Sequence, residues 1–233
     1  MGFTIGPGPG PARLDLRIAP GAADDYRALS AFHYVANGPA TCVRVLVARH
    51  AGVRAGVLVV SMPTLNGSWR AGAWPGWLDG LSRAAAADAL NRELRAISRV
   101  IVDPRLRGAG VARALVGHYL RSPLSVRTEA VAAMGKWCPF FERAGMRAVP
   151  VPIGAHGRRL DALLARAGVR PLEAVERGAA ARIARTEPEL VASLRRWAGS
   201  SRATRGWAGL AGPELVMRAS MRAAARPLAF VSP

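Results

Sequence analysis

Lysine is almost missing from this chain. Lys136 is the only one in 233 residues, yet lysine and arginine together number 33 against 15 acids, so a formal net charge of +18 is carried almost wholly by arginine. A GC-rich genome accounts for arginine in place of lysine, but not for the shortage of acids. Cysteine is scarce as well. Cys42 and Cys138 are too few for a disulfide framework or a zinc cluster, which points to a reducing, cytoplasmic setting. No apolar run approaches the roughly 20 residues of a membrane span, and no basic region followed by an apolar core opens the chain, so neither a membrane partner nor a signal peptide is expected. The positive excess is not a tail. Residues 151–233 carry 14 arginines against 6 acids, and residues 1–150 carry 19 basic residues against 9 acids. Such a surface suits an anionic partner, DNA or tRNA among them, held by salt-dependent attraction.

What is present reads as an alternation of strands and helices. Residues 1–11 are glycine- and proline-rich and are expected to be disordered. Arg13 to Ile18 alternates like a strand that ends at Pro20-Gly21, and Asp24 to Tyr34 has helical spacing with acids in its first turn. Val43 to Ala48 and Gly56 to Ser61 read as a hairpin. The polar, tryptophan-bearing stretch from Ser61 to Arg70 follows a core strand, a place where loops on a rigid scaffold meet substrates; equally, it is a surface loop whose Trp69 covers a sheet edge. Leu81 to Leu94 is helical. Beyond Val151 the pattern predicts helices over 156–167, 171–184, 187–197 and 214–225, and a last strand over 227–231.

The central stretch is Ile97 to Leu120. A β-branched strand, Ile97 to Val102, stops at Asp103-Pro104 because proline lacks an N–H and constrains the residue before it. A glycine turn, Arg107-Gly108-Ala109-Gly110, then opens a helix with Val111, Leu115 and Tyr119 on one face. Strand, glycine turn and helix start together make an anion site, since the first helical N–H groups have no intrahelical partner and the dipole favours negative charge. The spacing is not that of a P-loop, which needs Lys-Ser/Thr after its last glycine, nor GxGxxG, since position 113 is arginine. A second apolar strand, Ser125 to Val131, leads into Met134 to Met146 with Pro139-Phe140-Phe141-Glu142.

These two anchors resemble the GNAT N-acetyltransferases. Arg107-Gly108-Ala109-Gly110-Val111-Ala112 after Val102-Asp103-Pro104 is similar to the family's Arg/Gln-x-x-Gly-x-Gly/Ala after Val-x-Pro, although Arg105-x-x-Gly108-x-Gly110 also fits. The segment 140–146 is similar to its Phe-Tyr-Glu-x-x-Gly-Phe ending. The resemblance covers about residues 28–150. It implies an α/β (α+β) fold with a mixed, mostly antiparallel central sheet, splayed parallel strands at 97–102 and 125–131, and flanking helices. The core would span 12–151, with a helical insertion over 152–226 before a last strand at 227–233, so that 147–151 pairs with 228–231.

The same resemblance implies acetyl-CoA or another acyl-CoA, with pantetheine along Ile101 and Val102 and pyrophosphate on the N–H groups of Arg107, Gly108, Ala109, Gly110, Val111 and Ala112. Direct transfer to an amine needs a proton acceptor, donors that polarise the thioester carbonyl, and an acid for the leaving thiolate. The family's usual tyrosine falls on Phe141, so that role does not carry over. Cys138 is either a substitute or a structural thiol. Glu129 and Ser98 are candidate bases facing the cleft, Glu129 alternatively a paired structural carboxylate. His33 and Tyr34 lie on the segment that covers the acceptor side in this family and are further catalytic candidates, His33 alternatively a structural histidine. Ser61, Asn66, Arg70, Asn91 and Arg99 are candidates for substrate binding, Arg99 alternatively a structural ion pair. A metal is not implied.

Two narrower resemblances exist. His33-Tyr34, Ser61-Met62-Pro63-Thr64, Ser98-Arg99 and the 139–146 segment are similar to the acetyltransferase domain that some microbial proteins fuse to an ABC-type ATPase. Asn91 with Ser98-Arg99, together with chain length, is loosely similar to phage Mom-type proteins, which modify adenine in DNA. The expected function is therefore N-acylation of a nucleic acid or a nucleic-acid-bound substrate. The alternatives are a GNAT acting on a small amine or protein, and a non-catalytic module that binds nucleic acid through its arginines.

Overall fold

Two apolar runs, Val45–Ala48 and Val57–Val60, are buried whichever way successive side chains point, so the strands that carry them must be covered on both faces. In the computed structural model, which describes residues 14–33, 38–133 and 135–232, these runs lie in β2 (Arg44–His50) and β3 (Val53–Ser61). Around them stand β1 (Leu16–Gly21), β4 (Leu94–Val102), β5 (Arg127–Ala132), β6 (Arg147–Pro150) and β7 (Leu228–Ser232). The seven strands form one mixed sheet in the order β1-β2-β3-β4-β5-β7-β6. β4 and β5 are parallel, and every other adjacent pair is antiparallel. The architecture is α+β.

Helix α4 (Val111–Leu120) covers one face. Its Val111, Leu115, Val116 and Tyr119 pack with Leu46, Leu58, Val60, Ile97 and Phe230. Helix α1 (Ala23–Ser30) covers the other, setting Leu29 against Val47, Val57 and Ile101. Buried Asp25 ties α1 to the hairpin. It accepts from Ala22 N (2.9 Å), Arg49 Nη2 (2.9 Å) and Arg54 Nε (2.6 Å). The Ala22 N–H first, then Arg54, hold its carboxyl below the usual carboxylate range.

Two sequence expectations need correction. Pro20 does not end the first strand: β1 runs on to Gly21, with Pro20 opposite Leu46. The missing N–H is harmless because β1 is the edge of the sheet. The single helix expected over 171–184 is a 3₁₀ turn at Glu173–Val175 followed by α7 (Arg177–Thr186).

Three short helices complete the first unit, which comprises residues up to Pro150 together with 228–233. They are α2 (Arg70–Ala73), α3 (Arg83–Glu93) and α5 (Phe140–Arg143). The second unit, Val151–Pro227, has its own core of Leu160, Leu164, Leu194, Trp197 and Leu215. These come from α6 (Ala155–Arg166), α8 (Pro188–Gly199) and α9 (Gly212–Ala224), which join α7 in this unit. Its connections leave and re-enter the sheet at Pro150 and Leu228, which are partners in the β6–β7 ladder. No helix among the described residues is long and apolar enough to cross a membrane.

Candidate functional site

The parallel pair comes apart. β4 and β5 are in register from Leu94–Arg127 to Ile97–Ala130. Beyond that rung β4 continues to Val102 against β3 alone, while β5 continues beside β7. One residue explains the divergence. Val59 pairs with Arg99 but Val60 pairs with Ile97, so Ser98 is an extra residue in β4. A bulge of this kind bends its strand and increases local twist. The fork opens into a groove of about 590 Å³. Val100, Ile101 and Val102 line one side, Cys138, Pro139 and Phe140 another, and Phe32 and His33 a third.

The glycine turn closes the far end. Asp103 fixes its start by accepting from Arg105 N (2.9 Å), Nε (3.0 Å) and Nη2 (2.7 Å). The Arg105 side chain, then its backbone N–H, lowers the Asp103 pKa to about 2. Gly108 and Gly110 take φ of +80° and +84°, a region that costs side-chain-bearing residues energy, and Gly110 is the N-cap of α4. Gly56 on β3 lets that helix sit close. A Cβ there would lie 2.9 Å from the Ile101 carbonyl oxygen and 3.0 Å from Val111 Cγ1. Arg107, Gly108, Gly110, Val111 and Ala112 line the groove, and Ala109 instead lines a second, more open concavity of about 820 Å³ with Arg113, Arg121 and Arg143. Arg107 Nη2 donates to the Phe32 carbonyl at 3.2 Å. The groove thus joins an open strand edge at one end to helical N–H groups and arginines at the other, a shape suited to an amide-bearing chain that ends in phosphates.

The remaining candidates lie around a second cluster. Glu129, on the last-but-one rung before the fork, accepts from Trp69 Nε1 (2.9 Å), Arg70 Nε (3.0 Å) and Arg70 Nη2 (2.6 Å). Both Arg70 and Glu129 are about 3% exposed. Of the two readings of Glu129, the paired structural carboxylate is the arrangement seen. Arg70 is the other half of that pair, and its Nη1 donates to the Leu65 carbonyl at 3.1 Å. Ser61 Oγ donates to the Thr41 carbonyl (2.5 Å) and lies 2.6 Å from Ser98 Oγ, which is also 3.3 Å from the Val59 carbonyl. Arg99 Nη1 donates to the Ser98 carbonyl at 2.7 Å. Asn66 and Asn91 are exposed. The Asn66 carbonyl accepts from Thr64 Oγ1 (3.0 Å) and that of Asn91 from Arg95 Nη1 (2.8 Å). Tyr34 lies outside the described residues.

The sequence reading missed Val100, Pro139 and Arg143 as groove walls, and Trp74 and Trp77 altogether. The first three become legible only when the fork is known. The tryptophans carry a signal, since three lie within Trp69–Trp77, but spacing alone does not say that they line a cavity.

No protein-family model matches the chain, and no curated protein is similar to it. Among solved structures it is similar, at 14% identity and a TM-score of 0.33, to an acetoin utilization protein from Exiguobacterium sibiricum. The likeness covers 55% of this chain and 59% of that one, so the chain spans somewhat over half the length of this neighbour.

Proposed function

We propose that this chain is an acyl-CoA-dependent N-acyltransferase of the GNAT type, with a nucleic acid or a nucleic-acid-bound amine as acceptor. One observation carries the first half of this reading: the free edge of β4 beyond Ile97 and the positive-φ turn at the start of α4 share a single groove. The residues present fit acetyl-CoA. The backbone of Val100 to Val102 is available to pair with pantetheine amides, and the N–H groups of 107–112, with the Arg107 side chain, suit a pyrophosphate. Bound acyl-CoA supplies a thioester carbonyl. In the overall transfer a nitrogen–carbon bond forms and a carbon–sulfur bond breaks, the nitrogen loses a proton and the sulfur gains one. His33 lines the groove and is able to hold the first proton. Phe141, packed on Phe230 at 4.9 Å between ring centres, has no hydroxyl to give the second, whereas the Cys138 thiol lines the same groove.

The acceptor half rests on the net charge of +18, which favours a polyanion over a small cationic amine. Titration of the purified chain with acetyl-CoA tests the cofactor. Arg107→Glu should abolish binding, and unchanged affinity overturns the assignment. Nucleoside mass spectrometry on DNA and tRNA from cells with and without the gene tests the acceptor. A new mass that is lost with Arg107→Glu names the base. No new mass, with acetyl-CoA still bound, points instead to a protein or small amine.

A further inference from the structure

Behind Arg70 lies a smaller cavity of about 190 Å³. Binding sites for drug-sized molecules run to about 300–1,000 Å³, so this one admits a single ring system. Two of its walls are Trp74 and Trp77, an edge-to-face pair with ring centres 5.4 Å apart and planes at 78°. Trp77 is held in orientation. Its Nε1 donates to Glu93 Oε2 at 3.0 Å, and the Arg127 guanidinium lies 4.3 Å from its ring centre. Arg70 forms another wall, and the loop can lie over it because position 67 is glycine; a Cβ there would be 2.7 Å from the Arg70 guanidinium carbon. Asp79 also lines the cavity, and its exposed carboxylate makes no hydrogen bond or ion pair with any described residue.

The place matters as much as the lining. The guanidinium that walls this cavity also holds Glu129. Glu129 stands opposite Ala96, one rung before Ile97–Ala130, where the parallel strands part. The cavity is therefore one ion pair away from the fork. The lining selects among ring compounds. A neutral planar heterocycle meets the indoles of Trp74 and Trp77, and stacking on aromatic rings is how proteins hold unstacked bases. A carboxylate is acceptor-only, and it pairs with an exocyclic amine such as that of cytosine.

We propose that the Trp74–Trp77 cavity seats one unstacked nucleobase bearing an exocyclic amine, presented by a single-stranded or locally opened nucleic acid. This rests on the acyltransferase reading and names where the nucleic acid of that reading is gripped. Base and indole stack, and Asp79 accepts from the amine.

The test uses the full chain and a short single-stranded DNA that carries one 2-aminopurine and an end label. Label anisotropy reports binding, and 2-aminopurine emission reports stacking. At saturating protein the wild type should quench the emission several-fold. Trp74→Ala should bind the strand and leave the emission unquenched, and Trp74→Leu, which keeps apolar bulk at the site, should do the same. Asp79→Asn should reduce the preference for amine-bearing bases over thymine by about ten-fold, the scale of one good base contact. Equal quenching by the wild type and both Trp74 variants overturns the pocket and leaves nucleic-acid binding standing. No strand binding by the wild type at low salt overturns the pocket and the nucleic-acid acceptor together. A parallel acetyl-CoA titration then shows separately whether the cofactor assignment survives.

Discussion

Arg70 and Glu129, 59 positions apart in the chain, meet as a bidentate pair at 2.6 and 3.0 Å with both side chains almost wholly out of solvent. Removing one partner of such a pair strands the other charge and costs about 3–5 kcal/mol. Glu129→Gln should therefore lower stability by about that amount in urea unfolding. The double variant Arg70→Met/Glu129→Leu should recover most of it, since it leaves no charge buried. A Glu129→Gln loss below about 1 kcal/mol would mean that the pair is solvated as exposed pairs are.

Gly56 offers a purely steric test. Its Cβ would meet the Ile101 carbonyl oxygen at 2.9 Å and the Val111 and Leu115 side chains at 3.0 and 3.2 Å. Gly56→Ala should cost about 1–3 kcal/mol as overpacking. On the proposed acyl-CoA reading it should also weaken acetyl-CoA binding, because Val111 and Ile101 are groove walls. Thermal unfolding and cofactor titration on the same variant check both. An unchanged melting temperature would show that the start of α4 shifts without penalty.

Asp103 sets an acid limb. Its folded pKa, about 2, lies below the ordinary 3.8, with the Arg105 side chain the first cause. A carboxylate held low stabilises the fold above its unfolded pKa, and the stabilisation disappears as pH falls through the folded value. Asp103→Asn should therefore lose less stability than the wild type between pH 4 and pH 2, with the two curves parallel above pH 5. Denaturant melts at stepped pH measure this, and identical slopes in the acid range would sink the assignment.

In the second unit the titrating group is His156. Burial first, then Arg222 and Arg159, push its pKa below the usual 6.5. Its ring stacks on Trp197 at 4.6 Å, and the Trp197 indole donates to its carbonyl oxygen at 2.9 Å. Here the neutral form is favoured in the folded state. Stability is complete above the unfolded pKa and falls as the solution is acidified below it. Protection factors over 151–227, in which the intrinsic slowing of exchange in acid is divided out, should fall from pH 7 to pH 5 in the wild type, and much less so in His156→Phe.

Local chemistry explains which features the sequence disclosed. Asp103-Pro104 and Gly108-Ala109-Gly110 are adjacent in the chain, so the end of β4, the turn and the start of α4 could be read from residue types alone. The pairing of 147–150 with 228–231 was legible because both are short strands on either side of a run of helices. The edge position of β1 was not, since nothing near Pro20 says that no strand lies beyond it. Nor was the state of Glu129. Its donors are contributed by positions 69 and 70, and only tertiary structure brings them to β5. The Trp74–Trp77 cavity is a case of the same kind, because Trp77 is oriented by Glu93 and Arg127 from two other elements.

The insertion also governs the order of assembly. Among the described strands β6 hydrogen-bonds to β7 alone, and β7 follows only after the whole of Val151–Pro227. A ribosome adding roughly 5–20 residues per second needs roughly 4–15 seconds to cover that distance. Throughout that interval the nascent chain holds β6 without a ladder, β5 with a bare edge, and a vacancy where Phe230 will stack on Phe141. An unpaired edge is a template for pairing with another chain. The bare edge of β5 is thus open to pairing with another chain until β7 arrives, and slower translation of the helical unit lengthens that interval.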